Sequence, residues 1–343
     1  MRTVASPSIS IALATYNGRE FLDDQLESLA AQSTLPLELV VCDDESNDDT
    51  FEILQRFSRN APFPVRLTRN EERLGYRRNF MKAASLCRGD LIAFCDQDDI
   101  WLRDKLATVV GHFDDPGVIL VAHKARLIDT HGTQIGDFDP AKGLDPLDIL
   151  SSGPWPLIYG FSQVFRATIL QFHDLWEHSV SHFAPGEQMG HDRWVAFVAA
   201  NLGKVVILDD QLVLYRQHEN NVFGGLKKKK KDSQDQVPHR IKEYERTALA
   251  TSALENRSLL LEEIRSRVKN LPISNINRFK SFSKLSNLRE TIYSSAPLIS
   301  RMGAFLQLAA RSTFSREKAW KVPAGLLLND LCATFDPRNR MDR

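Results

Sequence analysis

Short apolar runs alternate with longer amphipathic stretches through the first hundred residues, and this alternation most constrains the fold. The apolar runs are SISIAL at 8–13, LELVVC at 37–42, PVRLT near Val65 and LIAFC at 91–95. Helical patterns lie between them, at 20–31, 49–58 and 76–87. Strands that alternate with helices at this spacing predict βαβ units. We therefore expect an α/β fold with a mostly parallel, Rossmann-like sheet sandwiched by helices.

Polar segments follow three of the predicted strands. They read ATYNGRE after the first strand, DDESND after the second and DQDD after the fourth. Ligands of open parallel sheets bind beyond the carboxyl ends of the strands. The three segments are therefore predicted to line one edge of the sheet and to form a binding site there.

The DQDD segment places three carboxylates within four residues. Asp96 and Asp98 alternate, so both side chains could point to the same side. Paired carboxylate oxygens suit a hard divalent cation such as Mg²⁺ or Mn²⁺. Two alternatives stay open: Asp99 caps a helix that starts at Trp101, or the acids belong to a phospho-acceptor receiver domain. A receiver domain would leave most of the chain unexplained.

The later sequence predicts a closing part of this domain and a helical tail. Residues 118–129 predict a strand pair with a turn at DTHG, 141–156 predict a flexible lid, and KVVIL with QLVLYRQ predict closing strands. We expect a catalytic domain at 1–222, a basic linker at 223–235 that contains Lys227 to Lys231, and a helical C-terminal region at 236–343.

Charge is unevenly distributed although the formal net charge is +0. From Leu226 onward the chain has 24 Lys and Arg against 12 Asp and Glu, which leaves 20 against 32 before it. A basic tail suggests contact with an anionic membrane surface or nucleic acid, although a solvated basic helix is the commoner explanation. Nucleic acid is disfavoured because the lysine run lacks interleaved aromatic residues. The apolar spacing at 299–309 predicts a helix that lies on a membrane or, as we favour, packs on the protein.

Composition and cysteine usage indicate a folded cytosolic protein. Hydrophobic residues make up 43% and charged residues 26% of the chain, as in ordinary globular proteins. The four cysteines have no CxxC or Cys/His spacing, so we expect reduced thiols. The N-terminus lacks a signal-like apolar segment, and no stretch approaches 18 apolar residues, so we expect neither export nor a membrane span.

Six segments together resemble a glycosyltransferase of family 2 with a GT-A fold, closest to the rhamnosyltransferase-like branch. They are ATYNGREFLDDQLESLAAQ, VVCDDESNDDT, GYRRNF, GDLIAFCDQDDIWLRDKL, HDRW and YRQHENN, and they extend over about residues 8–222. DQDDIW with YRQH is the most specific part. The sequence departs from the family at DDES, where a Gly often precedes the Ser.

The resemblance implies a role for each matching residue. Asp192 of HDRW would be the general base, and Asp98 and His218 would hold the metal. Acceptor contacts would come from Trp101, His191 and Trp194. The nucleotide sugar would bind to Thr15, Tyr16, Asn17, Asp43, Asp44, Arg77, Arg78, Asp96 and Gln97. Taken alone, Asp192 could equally be a first-turn acid of a helix, and both tryptophans could be core residues.

The implied activity is a metal-dependent inverting transfer of a sugar, with rhamnose as a candidate, from a dTDP- or UDP-linked donor. The acceptor would be a hydroxyl of a glycan or lipid-linked molecule in cell-surface polysaccharide synthesis, at the inner face of the membrane. One carboxylate removes the hydroxyl proton while a cation stabilises the leaving diphosphate. The sequence shows neither a QxxRW-like segment nor membrane helices, which favours a single transfer over processive synthesis. The alternatives are a sugar nucleotidyltransferase, for which ATYNGRE is too short, and a catalytically silent nucleotide-sugar-binding scaffold.

Overall fold

The structure is a computed structural model, and it describes most of the chain. The described residues are 6–139, 142, 144, 157–219, 221, 239–268, 273–314, 330, 331 and 333–335. The predicted lid at 141–156, apart from residues 142 and 144, and the predicted linker at 223–235 with its lysine run lie outside the described residues.

The first four strands form a parallel sheet, as the alternation of patterns predicts. They are β1 (Ile9–Thr15), β2 (Glu38–Asp43), β3 (Val65–Arg69) and β4 (Leu91–Cys95), in the order β3-β2-β1-β4. The intervening helices are α1 (Leu22–Ala30), α2 (Thr50–Ser58) and α3 (Tyr76–Leu86). Every residue of β1, β2 and β4 is buried, as expected for strands covered on both faces.

The other half of the sheet contains antiparallel pairings, so the complete sheet is mixed. Its strands are β5 (Ile100–Trp101), β6 (Val118–Ile128), β7 (Gln134–Phe138), β8 (Val164–Arg166) and β9 (Lys204–Arg216). They continue the order as β4-β8-β6-β9-β5, with β7 beside β6. β6 and β9 are parallel, whereas the pairs β4–β8, β5–β9, β6–β7 and β6–β8 are antiparallel. KVVIL and QLVLYR, which the sequence predicted as separate strands, belong to one long strand, β9.

Helices cover both faces of this sheet. α4 (Lys105–Val110), α5 (His173–Glu177) and α6 (His191–Leu202) follow in the chain, with 3₁₀ segments at Gly111–Asp114, Gly160–Ser162 and Ala167–Phe172. On one face, Ile11 and Leu13 share a hydrophobic core with Leu26 of α1. On the other face, Phe94 contacts Phe80 of α3, with ring centroids 5.5 Å apart. The α/β fold with helical layers is confirmed.

The chain divides into two compact units. The first comprises Met1–Leu147, Pro156–Asp174 and Gly190–Lys230, and the second comprises Asp148–Trp155, Leu175–Met189 and Lys231–Arg343. The second unit is helical in its described part, with α7 (His239–Arg267), α8 (Ile273–Tyr293) and α9 (Leu298–Phe314). Within the described residues, no helix is both long enough and apolar enough to cross a bilayer.

Candidate functional site

The loops that follow β1 and β2 are joined by hydrogen bonds. Thr15 donates its hydroxyl to Asp43 Oδ2 at 2.9 Å, and the Asn17 N–H donates to Ser46 Oγ at 2.9 Å. Asn17 has a φ of 48°, a left-handed conformation that Asn tolerates better than most residues. Its Oδ1 accepts from the backbone N–H of Asn47 at 2.9 Å. Two of the predicted loops therefore form one continuous surface.

Asp44 fastens the loop that leads into α3. It is 2% exposed, and its oxygens accept from the backbone N–H groups of Leu74 at 2.7 Å and Gly75 at 2.8 Å. Asn70 donates a third bond at 2.8 Å. Gly75 has a φ of 80°, which favours glycine. Sequence reasoning assigned Asp44 only to a nucleobase and missed this structural role.

Tyr16 is held against the loop after β4. Its N–H donates to Gln97 Oε1 at 2.8 Å, and Gln97 Nε2 donates back to the Tyr16 carbonyl at 3.1 Å. A Cβ on Gly18 would overlap Gln97 Oε1, so any larger residue there would displace the Gln97 side chain. The Arg73 guanidinium lies 3.9 Å from the centroid of the Tyr16 ring. All three predicted loops thus meet at one edge of the sheet.

Asp98 and His218 are in direct contact although 120 positions separate them. Asp98 Oδ2 lies 2.8 Å from His218 Nε2. β5 pairs with β9, with Ile100 opposite Leu214, and this pairing places the end of β9 beside DQDD. The structure therefore brings together the two residues predicted to hold a metal. Among the described residues, no group of three His, Cys, Asp or Glu side chains has metal-binding spacing.

Asp99 does not cap a helix, so that interpretation of DQDD is wrong. Trp101 lies in strand β5, and α4 begins only at Lys105. Asp99 is fully buried and accepts the backbone N–H of Arg216 at 3.0 Å through Oδ1. Asp99 therefore connects the DQDD loop at 96–99, which we call the acidic loop, to β9.

Arg216 organises the same loop, and sequence reasoning missed it. Its side chain is 2% exposed. The guanidinium donates to the Asp98 carbonyl at 3.0 Å, to the Thr130 carbonyl at 3.1 Å and to Asp24 Oδ2 at 2.8 Å. The sequence feature that could have indicated Arg216 is its position in YRQH, two residues before His218.

Lys105 places a buried ammonium group near these acids, and it too was missed. It is 0% exposed and donates to the Phe161 carbonyl at 2.8 Å. The ammonium lies 3.5 Å from the centroid of the Trp101 ring. Part of the positive charge that Asp96, Asp98 and Asp99 require therefore comes from Lys105.

Burial and mutual repulsion still disfavour ionisation of Asp96 and Asp99. Burial, with the negative charges of Asp98 and Asp192, raises the pKa of Asp96 to about 8. Burial and neighbouring carboxylates likewise raise the pKa of Asp99 well above its ordinary value. Burial lowers the pKa of Lys105 to about 7, even though Asp99 and Asp96 oppose that shift. The site therefore favours binding of an additional cation.

Asp192 and His191 open helix α6, beside the acidic loop. Asp192 Oδ1 accepts the Arg193 N–H at 2.8 Å, and its charge raises the pKa of Tyr76 and Tyr159, although burial is the larger cause for both. His191 is stacked on Phe80, with centroids 4.0 Å apart. Burial lowers the pKa of His191 to about 4, so the ring is neutral.

The other predicted contact residues fall into two groups. Trp101 and Trp194 are 2% and 0% exposed, so both rings pack in the core and present no open face to an acceptor. Arg77 lies in the first turn of α3 and its positive charge contributes to the low pKa of His191. Arg78 is exposed on the same turn.

Comparisons with known proteins identify the family to which the chain belongs. The model for "Glycosyl transferase family 2" matches residues 10–171. A dTDP-rhamnosyl transferase, RfbG of Shigella flexneri, is 32% identical over 225 residues, which are 62% of this chain and 74% of that protein. An uncharacterized protein of Mycobacterium tuberculosis is 26% identical over 63% of this chain, and the match spans only 60% of its length.

The fold also matches solved structures. Residues 1–349 of TarS from S. aureus, in complex with UDP-GlcNAc, superpose with a TM-score of 0.52 at 15% identity. The alignment covers 95% of this chain and 90% of that one. At this identity the likeness shows a shared fold.

Proposed function

Because this chain belongs to glycosyl transferase family 2 and has a GT-A-like fold, we propose that it is an inverting, non-processive glycosyltransferase. It moves a sugar from a nucleotide-diphosphate donor to a hydroxyl of a glycan or lipid-linked acceptor in cell-surface polysaccharide synthesis. The observation that carries the proposal is the contact between Asp98 and His218, at the edge where three strand-end loops meet.

The donor would bind across those loops. We assign its nucleotide to Thr15, Tyr16, Asn17, Asp43, Asp44, Arg77, Arg78, Asp96 and Gln97. The name of the Shigella relative supports a dTDP-linked rhamnose, whereas the S. aureus structure binds UDP-GlcNAc. Thymine and uracil share the same hydrogen-bonding edge, so we propose a dTDP- or UDP-linked donor.

Asp98 and His218 fit a divalent cation, Mg²⁺ or Mn²⁺. Their 2.8 Å separation is close to the roughly 3 Å between adjacent ligands of an octahedral ion with bonds of 2.0–2.1 Å. Two protein ligands suffice for an ion that is also bound by substrate phosphates and water. When bound, the cation stabilises the charge that develops on the leaving diphosphate.

Asp192 is the proposed general base. It takes the proton from the acceptor hydroxyl as that oxygen attacks the anomeric carbon, while the bond from this carbon to the diphosphate breaks. The Arg193 N–H that binds Oδ1 fixes the orientation of the carboxylate. Attack opposite to the leaving group inverts the anomeric configuration. Of the three predicted acceptor residues, His191 precedes this base in the chain and is 6% exposed.

The cellular placement is also a proposal. The free thiols of Cys42, Cys87 and Cys95 suit the reducing cytoplasm. A basic C-terminal region, with 24 Lys and Arg against 12 Asp and Glu from Leu226 onward, suits peripheral contact with an anionic membrane. The enzyme would there meet lipid-linked acceptors.

The first test is a thermal-shift screen of dTDP-, UDP- and GDP-sugars with and without Mn²⁺ or Mg²⁺. We expect one nucleotide family to raise the Tm in a metal-dependent way, and Asp98→Asn to abolish the rise. Asp114→Asn, which changes an exposed acid of the same unit, is the matched control. A metal-dependent shift that persists in Asp98→Asn would contradict the metal assignment.

The second test separates catalysis from donor binding. Asp192→Asn should retain the thermal shift but lose transfer or donor hydrolysis by about 10²–10⁴-fold, because only proton removal is lost. Asp104→Asn, an exposed acid before α4, should stay active. Donor binding without turnover in the wild-type protein would instead indicate a catalytically silent scaffold.

A further inference from the structure

Helix α9 exposes a row of large apolar side chains. The exposed fractions are 82% for Ile299, 37% for Met302 and 63% for Leu306, and Leu298 beside them is 47% exposed. Positions i, i+3 and i+7 fall on one side of an α-helix. We call these four residues the α9 stripe. Contiguous exposed apolar surface of this kind marks an interaction site.

Within the described residues of its unit, α9 packs through the side opposite the α9 stripe. The opposite side of α9 is already buried, since Ala304 and Leu308 form a core with Ile292 and Tyr293 of α8. Arg301, the single charged residue between Leu298 and Ala310, also faces inward and donates to the Ala333 carbonyl at 3.2 Å. The outer side of α9 is therefore free of charged side chains over this length.

Helices α8 and α9 carry an excess of basic residues. Helices α8 and α9 together contain six Lys and Arg residues and one Glu: Arg278, Lys280, Lys284, Arg289, Arg301, Arg311 and Glu290. Lys280 and Lys284 are exposed, and Lys280 is paired with Glu262 at 2.6 Å. Arg289 is paired with Asp330 at 3.0 Å and Arg301 is buried, so only part of this positive charge is available to a surface. Apolar side chains next to cationic groups are the combination with which helices lie in the headgroup region of anionic bilayers.

We propose that the α9 stripe docks the protein on an anionic lipid surface, with α9 lying in the interface plane. This inference rests on the proposed function only in that it specifies where the peripheral contact is made. The cationic groups attract the surface, and the α9 stripe inserts among the headgroups.

A second copy of the chain fits this surface less well. A stable protein interface buries about 800 Å² on each partner and involves about 20–30 residues a side, whereas the α9 stripe offers four side chains. Two copies would also bring their excess positive charges together, which costs free energy. A lipid surface has neither limitation.

The test is co-flotation of the full chain with phosphatidylcholine vesicles, with and without phosphatidylglycerol. The variant Ile299→Gln/Leu306→Gln removes apolar surface and leaves the charge unchanged. Leu259→Gln is the matched control, because Leu259 is an apolar residue of α7 that is 64% exposed. We expect wild type and Leu259→Gln to bind the anionic vesicles and the double variant to partition about tenfold or more weakly.

Three results would overturn the proposal: no binding of the wild type, equal binding of the double variant, or a wild-type dimer in analytical ultracentrifugation that the double variant converts to monomer. The thermal shift by donor is measured on the same variants. Because the α9 stripe is remote in sequence from all donor-binding residues, an unchanged donor shift in a variant that no longer binds vesicles separates this inference from the proposed function.

Discussion

Arg216 links the position of Asp98 to that of His218. Its guanidinium donates to the Asp98 carbonyl at 3.0 Å and to Asp24 at 2.8 Å, and His218 lies two residues further on. We expect Arg216→Lys to weaken Mn²⁺ binding about tenfold, because an ammonium group cannot reproduce the planar arrangement of donors. Calorimetric titration of Mn²⁺ in the presence of the donor nucleotide measures this effect.

The control for Arg216 is Arg56→Lys, which changes an exposed pair with Asp23 and should have little effect. The two measurements separate an effect on Mn²⁺ affinity from an effect on the stability of the fold. A lower Tm with unchanged Mn²⁺ affinity would show that Arg216 supports the fold without positioning Asp98.

The titration of Asp96 predicts a pH dependence. Its pKa rises from an ordinary 3.8 to about 8 in the folded protein. Between these values the folded state binds a proton that the unfolded state has lost, so stability falls as pH rises. Stabilisation by the neutral carboxyl is fully present below about pH 4 and is lost as pH passes through about 8.

Asp96→Asn cannot ionise and should escape this loss. We expect the difference in Tm between Asp96→Asn and wild type to grow in favour of the variant from about pH 4 to pH 8 in the absence of metal. Differential scanning calorimetry at several pH values measures it. Parallel Tm profiles of the two proteins would contradict the raised pKa.

At the scale of secondary-structure elements, the sequence predicts the parallel half of the sheet and the long strands β6 and β9 of the other half, but it misses the short strands β5 and β8. The strands and helices from β1 to β4 show a clear periodicity of apolar residues in the local sequence. β5 and β8 contain two and three residues, too few for any period. They exist because β9 and β4 pair with them, and such long-range pairing leaves no local pattern.

Lys105 connects helix α4 to a 3₁₀ segment, and its replacement should destabilise the protein. The buried ammonium joins α4 to the 3₁₀ segment at Gly160–Ser162 through the Phe161 carbonyl. Its charge also opposes the rise in the pKa of Asp96 and Asp99. Lys105→Met removes that charge and leaves the buried Phe161 carbonyl without its donor, so we expect a loss of about 1–3 kcal/mol in the free energy of unfolding.

Urea unfolding measures this loss. Lys204→Met is the matched control, since Lys204 forms an exposed pair with Asp115 and should cost no more than about 1 kcal/mol. Equal effects of the two substitutions would mean that the buried charge has no special role.

At the scale of the whole molecule, part of the candidate site could be predicted. The strand-end loops carry their polar residues in sequence, so their meeting at one edge follows from the parallel sheet. The contact between Asp98 and His218 depends on β9 returning beside β5, which the residues alone do not indicate. Arg216 and Lys105 look like ordinary surface residues until their burial is known.

The division into two units leads to a last prediction, about the sequence-based boundary near residue 222. Residues Leu175–Met189 precede that boundary but belong to the second unit. Within this unit, Asn256 of α7 accepts the Val180 N–H at 3.0 Å and donates to the His178 carbonyl at 2.9 Å. A chain truncated after residue 222 would leave this segment without its α7 partner. We expect it to bind the dye ANS and to unfold with lower cooperativity than the full chain, because apolar surface becomes exposed.

A point variant tests the same dependence in the intact chain. Asn256→Ala leaves two backbone groups of the 175–189 segment without these bonds and should cost about 1–3 kcal/mol in the free energy of unfolding. Asn287→Ala, at an exposed position of α8, should stay within about 0.5 kcal/mol of wild type. Chemical denaturation compares the two. A truncated chain that unfolds as cooperatively as the full protein, together with a silent Asn256→Ala, would instead support a catalytic domain that ends at residue 222 and folds alone. The expected result means that the C-terminal helices are part of what keeps the segment before α6 ordered.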